Sequence, residues 1–413
     1  MIKNQNKIDN LLFNITKLYP KYIDLNLLRL EKLLQKLDNP QNKLPPVIHI
    51  AGTNGKGSTL IFIKNIMEEY GLKVHCYTSP HLIRFNERII LSNKQIQDDD
   101  LFETLNEVIK VNNNQEITFF ELTTAVALLN FSRIKADFCL IETGLGGRLD
   151  ATNTIKKKIL NIITSIGLDH EEFLSPYLKN IVREKCGILS KDIPVIISSQ
   201  NTNYKSHLLR KRIKDINCKV LKLKSIPKNS YLGLIGNHQK VNAKSAVTAV
   251  KYVLKDIAND VIQKGLKKAS WPGRIQTLTF KNKLITKSNE ILIDGAHNIE
   301  GAKIINSHLN KLNSGKWNFI FGMMNNKNPK EFIEIIEEHI EKIIFIPIKN
   351  QKNSYQPEEL KIIFKEKKFN SSVKRDLKSA LDSISSNNPL FITGSLYLMG
   401  EVLKLFSVKE LDF

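Results

Sequence analysis

Residues 47–59 have the sequence VIHIAGTNGKGST, and an amphipathic segment, 60–70, follows them. An apolar run, a glycine-spaced loop with one lysine and a helical pattern predict a strand, a phosphate-binding loop and a helix. Glycines let backbone N–H groups turn toward an anion, and the helix start adds the positive end of its dipole. The spacing departs from the common P-loop, because Ile50 stands where the first glycine belongs and Gly57 follows the lysine directly. We predict a variant nucleotide-phosphate site at Asn54, Gly55, Lys56, Gly57 and Ser58.

Length and composition indicate a multidomain globular protein. The chain has 413 residues, enough for two or three domains with their own cores. No stretch approaches the roughly 20 apolar residues of a membrane-spanning helix, and the polar start lacks the features of a signal peptide. The four cysteines are scattered, so neither a disulfide framework nor a zinc site is predicted. We therefore expect a cytoplasmic protein with no membrane partner.

The formal net charge of +21 raises the alternative of a nucleic-acid-binding P-loop ATPase. The lysines, however, are spread along the chain among many asparagines and isoleucines, and no basic stripe with interleaved aromatic residues occurs. A solvated, lysine-rich surface is the favoured interpretation, and its positive field would attract ATP. We expect no nucleic-acid partner.

Strand and helix patterns alternate on both sides of a break at Trp271-Pro272-Gly273-Arg274. This alternation predicts an α/β fold: a P-loop ATPase domain with a mostly parallel sheet, and a smaller Rossmann-like C-terminal domain. We place the domains at 1–274 and 275–413, with a hinge near 271–275. The predicted strands are 47–51, 73–78, 137–141, 160–166, 195–197, 291–293, 318–321, 343–346 and 390–393. Helical periodicity covers 101–111, 119–132, 240–255 and 258–269.

Polar residues follow three strands of the first domain: Ser79, Glu142 and His170. Mg²⁺ prefers oxygen ligands plus water, with an occasional imidazole, so these residues are candidate metal ligands beside the phosphate loop. Each also has a structural interpretation. Ser79 could lie in a turn, Glu142 could be a strand-end charge, and Asp169-His170 could cap a helix. Position alone leaves both interpretations open.

Four further stretches are distinctive: 22–25 (YIDL), 79–88 (SPHLIRFNER), 118–121 (TFFE) and 144–153 (GLGGRLDATN). Together with TNGKGS at 53–58, they resemble the ATP-dependent Mur-ligase superfamily, and within it the folylpolyglutamate synthase and dihydrofolate synthase branch. The resemblance spans essentially the whole chain. It implies that ATP phosphorylates a carboxylate, that an amine attacks the acyl phosphate, and that an amide forms. The implied cofactors are ATP and two Mg²⁺ ions.

The resemblance also implies roles for residues near the phosphates. Ser79, Glu142 and His170 match the family's metal ligands. Lys185, in the stretch 181–188, matches a lysine that is carbamylated and helps to hold the second Mg²⁺; without the family it would be a cation near a helix C-terminus. The implied nucleotide contacts beyond the loop are Asn242, Arg274 and Asp294, with Gln239 a weaker candidate. Asn242 and Asp294 are alternatively capping residues at a helix start and a strand end.

The substrate side is implied in the same way. The implied folate-binding residues are Ile23, Asp24, Leu25, Thr118, Phe119, Phe120, Glu121, Leu149, Asp150 and Ala151. Phe119 and Phe120 could form an aromatic wall for a flat ring, and Asp150 could bond its polar edge. Asp24 is alternatively the cap of a helix beginning near Leu25. His297 and Ser395 are expected on the side of the incoming glutamate, and the implied catalytic residues are Lys56, Lys185 and His297.

The implied activity is ATP-dependent addition of L-glutamate to dihydropteroate and to the γ-carboxylate of folylglutamates by a monomeric enzyme. Ser79-Pro80-His81-Leu82 with Arg84 resembles bifunctional members more than monofunctional polyglutamate synthases. The alternatives are a monofunctional folylpolyglutamate synthase, another Mur-type amide ligase, and the nucleic-acid-binding ATPase. Only the last should show DNA- or RNA-stimulated ATP hydrolysis with a steep salt dependence.

Overall fold

The computed structural model describes residues 2–17, 24–279, 290–313, 315–384 and 388–406. These residues form one seven-stranded and one six-stranded sheet, both mostly parallel and flanked by helices. The predicted α/β fold class is confirmed. No helix in these ranges combines the length and the apolar character needed to cross a membrane.

The first sheet has the strand order β4-β3-β2-β5-β1-β6-β7. Its strands are β1 Val47–Ala51, β2 Val74–Tyr77, β3 Ile89–Leu91, β4 Lys94–Gln95, β5 Phe138–Glu142, β6 Leu160–Ile163 and β7 Val195–Ile197. Strand β1 lies between β5 and β6 and is buried along its whole length, as its unbroken apolar run requires. The phosphate loop that follows it therefore starts at the centre of the sheet edge.

Helices cover both faces of this sheet. They are α1 Ile2–Lys17, α2 Leu28–Lys36, α3 Lys56–Glu69, α4 Asp98–Asn112, α5 Phe119–Arg133, α6 Leu178–Lys185, α7 Asn203–Ile216, α8 Asn237–Val253 and α9 Asn259–Lys268. Apolar residues of α3, α8 and α9 share one core cluster, whereas α1, α2, α4 and α5 share another. Because α8 packs along α3, it lies beside the phosphate loop at the N-terminus of α3.

The second sheet has the order β12-β11-β10-β13-β9-β8, and only its edge strand β8 is antiparallel. Its strands are β8 Gln276–Thr279, β9 Glu290–Asp294, β10 Trp317–Phe321, β11 Ile340–Phe345, β12 Asn370–Val373 and β13 Leu390–Thr393. Its helices are α10 Ile299–Leu312, α11 Pro329–Ile336, α12 Pro357–Ile363, α13 Leu377–Asp382 and α14 Leu396–Leu405. Phenylalanine rings and isoleucines of the parallel strands fill the two cores on its faces.

The two halves meet at the segment 271–275, where their backbones approach closely. Ile275 donates its N–H to the carboxylate of Asp294 at 2.8 Å, and Gly295 donates to the Gly273 carbonyl at 2.9 Å. On helix α14, a Cβ at Gly400 would lie 1.9 Å from the carbonyl oxygen of Leu82. This helix of the second half thus rests directly on the backbone that follows strand β2.

Several local expectations are wrong. Helix α2 begins at Leu28, and its N-cap, Leu27, makes no capping bond through its side chain, so Asp24 is not a cap. Its carboxylate pairs with Arg29 at 2.8 Å instead. Helix α8 begins three residues earlier than predicted, which places Asn242 inside the helix rather than at its start. No helix follows Asp169-His170 directly, since the next one begins at Leu178.

Candidate active site

The phosphate loop turns at Gly55, which has φ +87° and is the N-cap of helix α3. A Cβ there would lie 2.4 Å from Oδ1 of Asn242, so only glycine fits between the loop and helix α8. The Lys56 ammonium folds over its own loop, 3.2 Å from the carbonyl oxygens of Gly52 and Thr53. It also lies 3.8 Å from Glu142. The loop thus places a cation beside a carboxylate at the end of strand β5.

The other side of the loop contacts the segment that joins the two halves. A Cβ at Gly57 would lie 2.9 Å from the indole of Trp271, which explains why glycine separates Lys56 from Ser58. The Ser58 hydroxyl accepts a hydrogen bond from the Gln239 amide at 3.3 Å, and Asn242 donates to Gln239 at 2.9 Å. Helix α8 and the joining segment therefore hold the loop from two directions.

The three candidate metal ligands line one cavity with this loop. Glu142 is buried and its Oε2 has no partner among the described residues; the same holds for Nδ1 of His170. Burial raises the pKa of Glu142, and the charges of Lys56 and Arg274 oppose this rise. Burial lowers the pKa of His170 to about 3, so its ring is neutral at pH 7. Unpaired carboxylate and imidazole atoms next to a serine hydroxyl suit Mg²⁺.

The described ranges contain no cluster of the side chains that most often bind metal ions in proteins. No group of three or more His, Cys, Asp or Glu side chains there could hold an ion. The candidate set has two such residues, Glu142 and His170, and a serine.

Lys185 does not line the cavity but lies beneath it. It is the last residue of helix α6, as the sequence predicts. The side chain is buried, and its ammonium donates to the Gly52 carbonyl of the phosphate loop at 2.8 Å. Burial, together with the charge of Lys56, lowers its pKa to about 7. A substantial fraction of this lysine is therefore a neutral, nucleophilic amine at physiological pH.

The opposite wall of the cavity contains the predicted folate-side residues. Asp150 is buried, and its carboxylate accepts hydrogen bonds from Leu145 N at 2.7 Å and Thr152 N at 3.0 Å. Phe120 packs so closely on Gly144 that a Cβ there would lie 2.4 Å from the ring. The residues of this set that line the cavity are Asp24, Leu25, Thr118, Phe119, Phe120, Glu121, Leu149, Asp150 and Ala151. Ile23 lies outside the described residues.

Two of these residues also have clear structural partners. Thr118 and Glu121 form a reciprocal capping box at the start of helix α5, with bonds of 2.7 and 3.2 Å. The Glu121 carboxylate also pairs with Arg29 at 3.0 Å, and Arg29 in turn pairs with Asp24. This ion-pair chain fixes the wall of the cavity and occupies the Glu121 oxygens.

The second half contributes three predicted residues to the same cavity, Asp294, His297 and Ser395, and the joining segment contributes Arg274. Asp294 accepts from Ile275 N at 2.8 Å and from Ala296 N at 2.7 Å, so it stabilises the strand end as well as facing the cavity. Ser395 is the N-cap of helix α14 and accepts from Tyr397 N at 3.1 Å. The His297 imidazole bonds the Gly295 carbonyl at 2.9 Å.

The structure adds contacts across the cavity that the sequence analysis missed. Asp169 forms an ion pair with Lys327 of the second half and accepts from Asn298 at 3.2 Å. Burial alone would raise the pKa of Asp169, but His297, His170 and Lys327 hold it well below its usual range. The one signal for Lys327 in the sequence was its position after strand β10, because the other candidates also follow their strands. Arg88, over the rings of Phe85 and Phe119, is a further lining residue without a predicted role.

The cavity has a volume of about 530 Å³, and both halves of the chain line it. It combines the phosphate loop, the cations Lys56 and Arg274, and the Glu142 carboxylate with its unpaired oxygen. The rings of Phe119 and Phe120 form an aromatic wall. Such a site can bind a nucleotide and a flat acid side by side. Of the predicted site residues, Lys185 is the one described residue that stays outside the cavity lining.

Known proteins resemble the chain over nearly its whole length. A family model for the C-terminal domain of dihydrofolate synthetase matches residues 276–405. The dihydrofolate synthetase of Saccharomyces cerevisiae is 31% identical over 93% of this chain and 98% of that protein. The dihydrofolate synthase/folylpolyglutamate synthase of Bacillus subtilis is 29% identical over 91% of this chain and 94% of that protein.

Solved structures share the fold. A bifunctional folylpolyglutamate synthase/dihydrofolate synthase from Yersinia pestis, complexed with AMPPNP and a Mn ion, has a TM-score of 0.84 to this chain. The alignment covers 97% of this chain and 98% of that one at 23% identity. The likeness establishes the fold of this chain.

Proposed function

Because the chain belongs to the dihydrofolate synthase/folylpolyglutamate synthase family, we propose that it adds L-glutamate to dihydropteroate and to the γ-carboxylate of folylglutamates. The predicted family and enzyme class, an ATP-dependent acid–amino-acid ligase, are confirmed. The observation that carries the proposal is the cavity, in which the phosphate loop, the Asp150 wall and His297 face one another.

The resemblance to the Mur-ligase superfamily implies the reaction, and the arrangement of the cavity supports it. The N–H groups at the start of helix α3, Lys56 and Arg274 bind the ATP phosphates. The flat ring of the acceptor lies against Phe119 and Phe120, with Asp150 at its polar edge. The carboxylate of the acceptor attacks the γ-phosphorus, and ADP leaves. The glutamate amine then attacks the carbonyl carbon of the acyl phosphate, and inorganic phosphate leaves as the amide forms. Closure of the cleft would exclude water, which would otherwise hydrolyse the acyl phosphate.

Divalent cations fit the donor set beside the loop. Ser79, Glu142 and His170 would hold one Mg²⁺, and carbamylated Lys185 would help to hold a second. Bound Mg²⁺ would offset the negative charge of the transferring phosphoryl group. The neutral amine of Lys185 can add to CO₂ and lose a proton, which gives a carbamate with one remaining N–H. That N–H can keep the bond to the Gly52 carbonyl.

Three further assignments stay predictions from the sequence. We assign residues 1–274 and 275–413 to separate domains with the hinge at 271–275. We expect a monomer, because one chain supplies every group the proposed reaction uses. A cytoplasmic location is expected from the sequence analysis.

One experiment separates the remaining alternatives: ATP-dependent incorporation of labelled L-glutamate, with dihydropteroate and tetrahydrofolate in parallel. We expect product from both acceptors. The similarity to the yeast dihydrofolate synthetase favours dihydropteroate as an acceptor, and the Bacillus relative is named for both activities. Product from tetrahydrofolate alone would identify a monofunctional folylpolyglutamate synthase. No product from either acceptor, with intact ATP binding, would contradict the proposed function.

A further inference from the structure

His49 is a fully buried histidine in the middle of strand β1, and the proposed reaction does not use it. It does not line the cavity. Its Nε2 lies 2.8 Å from the Thr152 hydroxyl oxygen, and that hydroxyl lies 2.5 Å from Oδ1 of Asp150. The three side chains thus form a chain of hydrogen bonds. It ends at Asp150, on the cavity wall that contains the predicted folate-side residues.

The direction of these bonds follows from the number of protons. Asp150 accepts backbone N–H bonds at both carboxylate oxygens, which favours its ionised form although burial raises its pKa. The single hydroxyl proton of Thr152 is therefore donated to Asp150. The hydroxyl oxygen can then only accept from His49, which requires the proton of the imidazole on Nε2. Burial lowers the pKa of His49 far below its ordinary value, so the ring is neutral. A neutral ring protonated on Nε2 has an unprotonated Nδ1.

A second unsatisfied residue lies beside His49 in the sheet. Nδ1 of His49 and both side-chain amide atoms of Asn161 are buried without a partner among the described residues. The two residues are paired in the register of β1 and β6, so their side chains lie on the same face of the sheet. A buried amide and a buried ring nitrogen without partners are costly. An internal water between them would satisfy both.

We propose that His49 is a positioning residue for the acceptor substrate. Acting through Thr152, it fixes the rotamer of Asp150 toward the cavity. The inference rests on the proposed function in one respect, namely that Asp150 contacts the acceptor. The hydrogen-bond chain itself does not depend on that function.

The first test is the tautomer of His49, measured by ¹⁵N NMR of histidine-labelled enzyme. The His49 signal is assigned by its absence in His49→Gln. We expect a neutral ring with the proton on Nε2 throughout pH 6–8. This range includes the ordinary histidine pKa of about 6.5. A ring protonated on Nδ1 cannot donate to Thr152 and would overturn the proposal whatever the enzyme's activity.

The second test separates positioning from structural support. His49→Leu should raise the KM for dihydropteroate about fivefold, the effect of one lost hydrogen bond, with the KM for ATP unchanged. His49→Gln keeps an amide donor within reach of Thr152 and should restore the acceptor KM. His75→Leu is the matched control. His75 is also fully buried in this sheet, but it bonds Ile134 and Ser92 instead.

A double-mutant cycle completes the test. In a Thr152→Val background, His49→Leu should raise the acceptor KM no further, because the connecting hydroxyl is already gone. Additive effects, or equal rises in His49→Leu and His75→Leu, would overturn the proposal. If the wild-type enzyme uses no folate acceptor, the proposed function fails, and the tautomer still decides the hydrogen-bond chain.

Discussion

Lys185 is the one described site residue that does not line the cavity. Its buried amine, with a pKa lowered to about 7, lies against the phosphate loop. We predict that Lys185→Ala abolishes glutamate incorporation and that a short carboxylate such as acetate partly restores it. Lys158→Ala is the control: Lys158 is a second largely buried lysine with a pKa of about 7, which bonds Asn153.

Acetate should not improve Lys158→Ala. Carbamate formation needs the neutral amine, so wild-type activity should rise with pH through about 7 and with added bicarbonate. Wild-type-like turnover of Lys185→Ala would contradict the carbamate role.

Asp150 is expected to govern acceptor binding. We predict that Asp150→Ala raises the KM for dihydropteroate roughly tenfold or more, the effect of a lost bond to a charged group, and leaves ATP binding measurable. Steady-state kinetics and ATP titration measure the two effects separately. Asp192→Ala, an exposed position outside the cavity, controls for the change in charge. An unchanged acceptor KM in Asp150→Ala would show that the acceptor lies elsewhere.

Individual site residues were predictable where they follow parallel strands. The ends of such strands meet at one sheet edge, so Ser79 and Glu142 could be named as candidates from their positions, whereas Asp294 was named from the family resemblance. The ion-pair partner of Asp169 could not be predicted, because Lys327 lies 158 residues further along the chain. His49 was hidden for a different reason. In the sequence it is one polar residue within an apolar strand, and only the fold brings Thr152 to it.

At the scale of elements, the start of helix α3 depends on the segment that joins the two halves. Trp271 fills the space that a side chain at position 57 would need. We predict that Gly57→Ala raises the KM for ATP roughly tenfold, because overpacking costs about 1–3 kcal/mol. Trp271→Leu in the same chain should relieve much of the effect, with Trp271→Leu alone as the control. An unaltered ATP KM in Gly57→Ala would show that the loop tolerates the contact.

Elements with long apolar or periodic patterns were predictable, and short edge strands were not. Strands β7 and β13 have the predicted bounds. Strands β3 and β4 were missed because they form a short hairpin after a polar, mixed segment. Strand β8 was missed because it is an antiparallel edge that follows a Pro-Gly break. Such strands depend on a neighbouring strand more than on their own composition.

At the scale of the whole molecule, contacts outside the cavity also join the two halves. Lys205 of helix α7 pairs with Glu300 of helix α10 at 2.8 Å, and Asn201 donates to the same carboxylate at 2.6 Å. We predict that Glu300→Gln lowers kcat/KM for ATP two- to threefold, consistent with an ion pair worth about 0.5 kcal/mol. Lys205→Ala should have the same effect.

The difference from wild type should shrink near 1 M salt, where the Debye length is about 3 Å. The double variant should lose no more than either single one. A salt-independent or additive loss would contradict a tie between these helices. Lys264→Ala is a suitable control, because its pair with Asp260 is exposed and lies within one helix.

The absent side chain at Gly400 limits how this enzyme can be recombined with its relatives. The backbone of Leu82 occupies the place of a Cβ at that position, so each half is shaped to the other at this contact. A chimera that takes its C-terminal half from a relative inherits that relative's residue here. We expect such hybrids to form an active cleft only where glycine is kept. The packing of position 400 against Leu82, rather than any substrate contact, then decides whether C-terminal halves can be exchanged within the family.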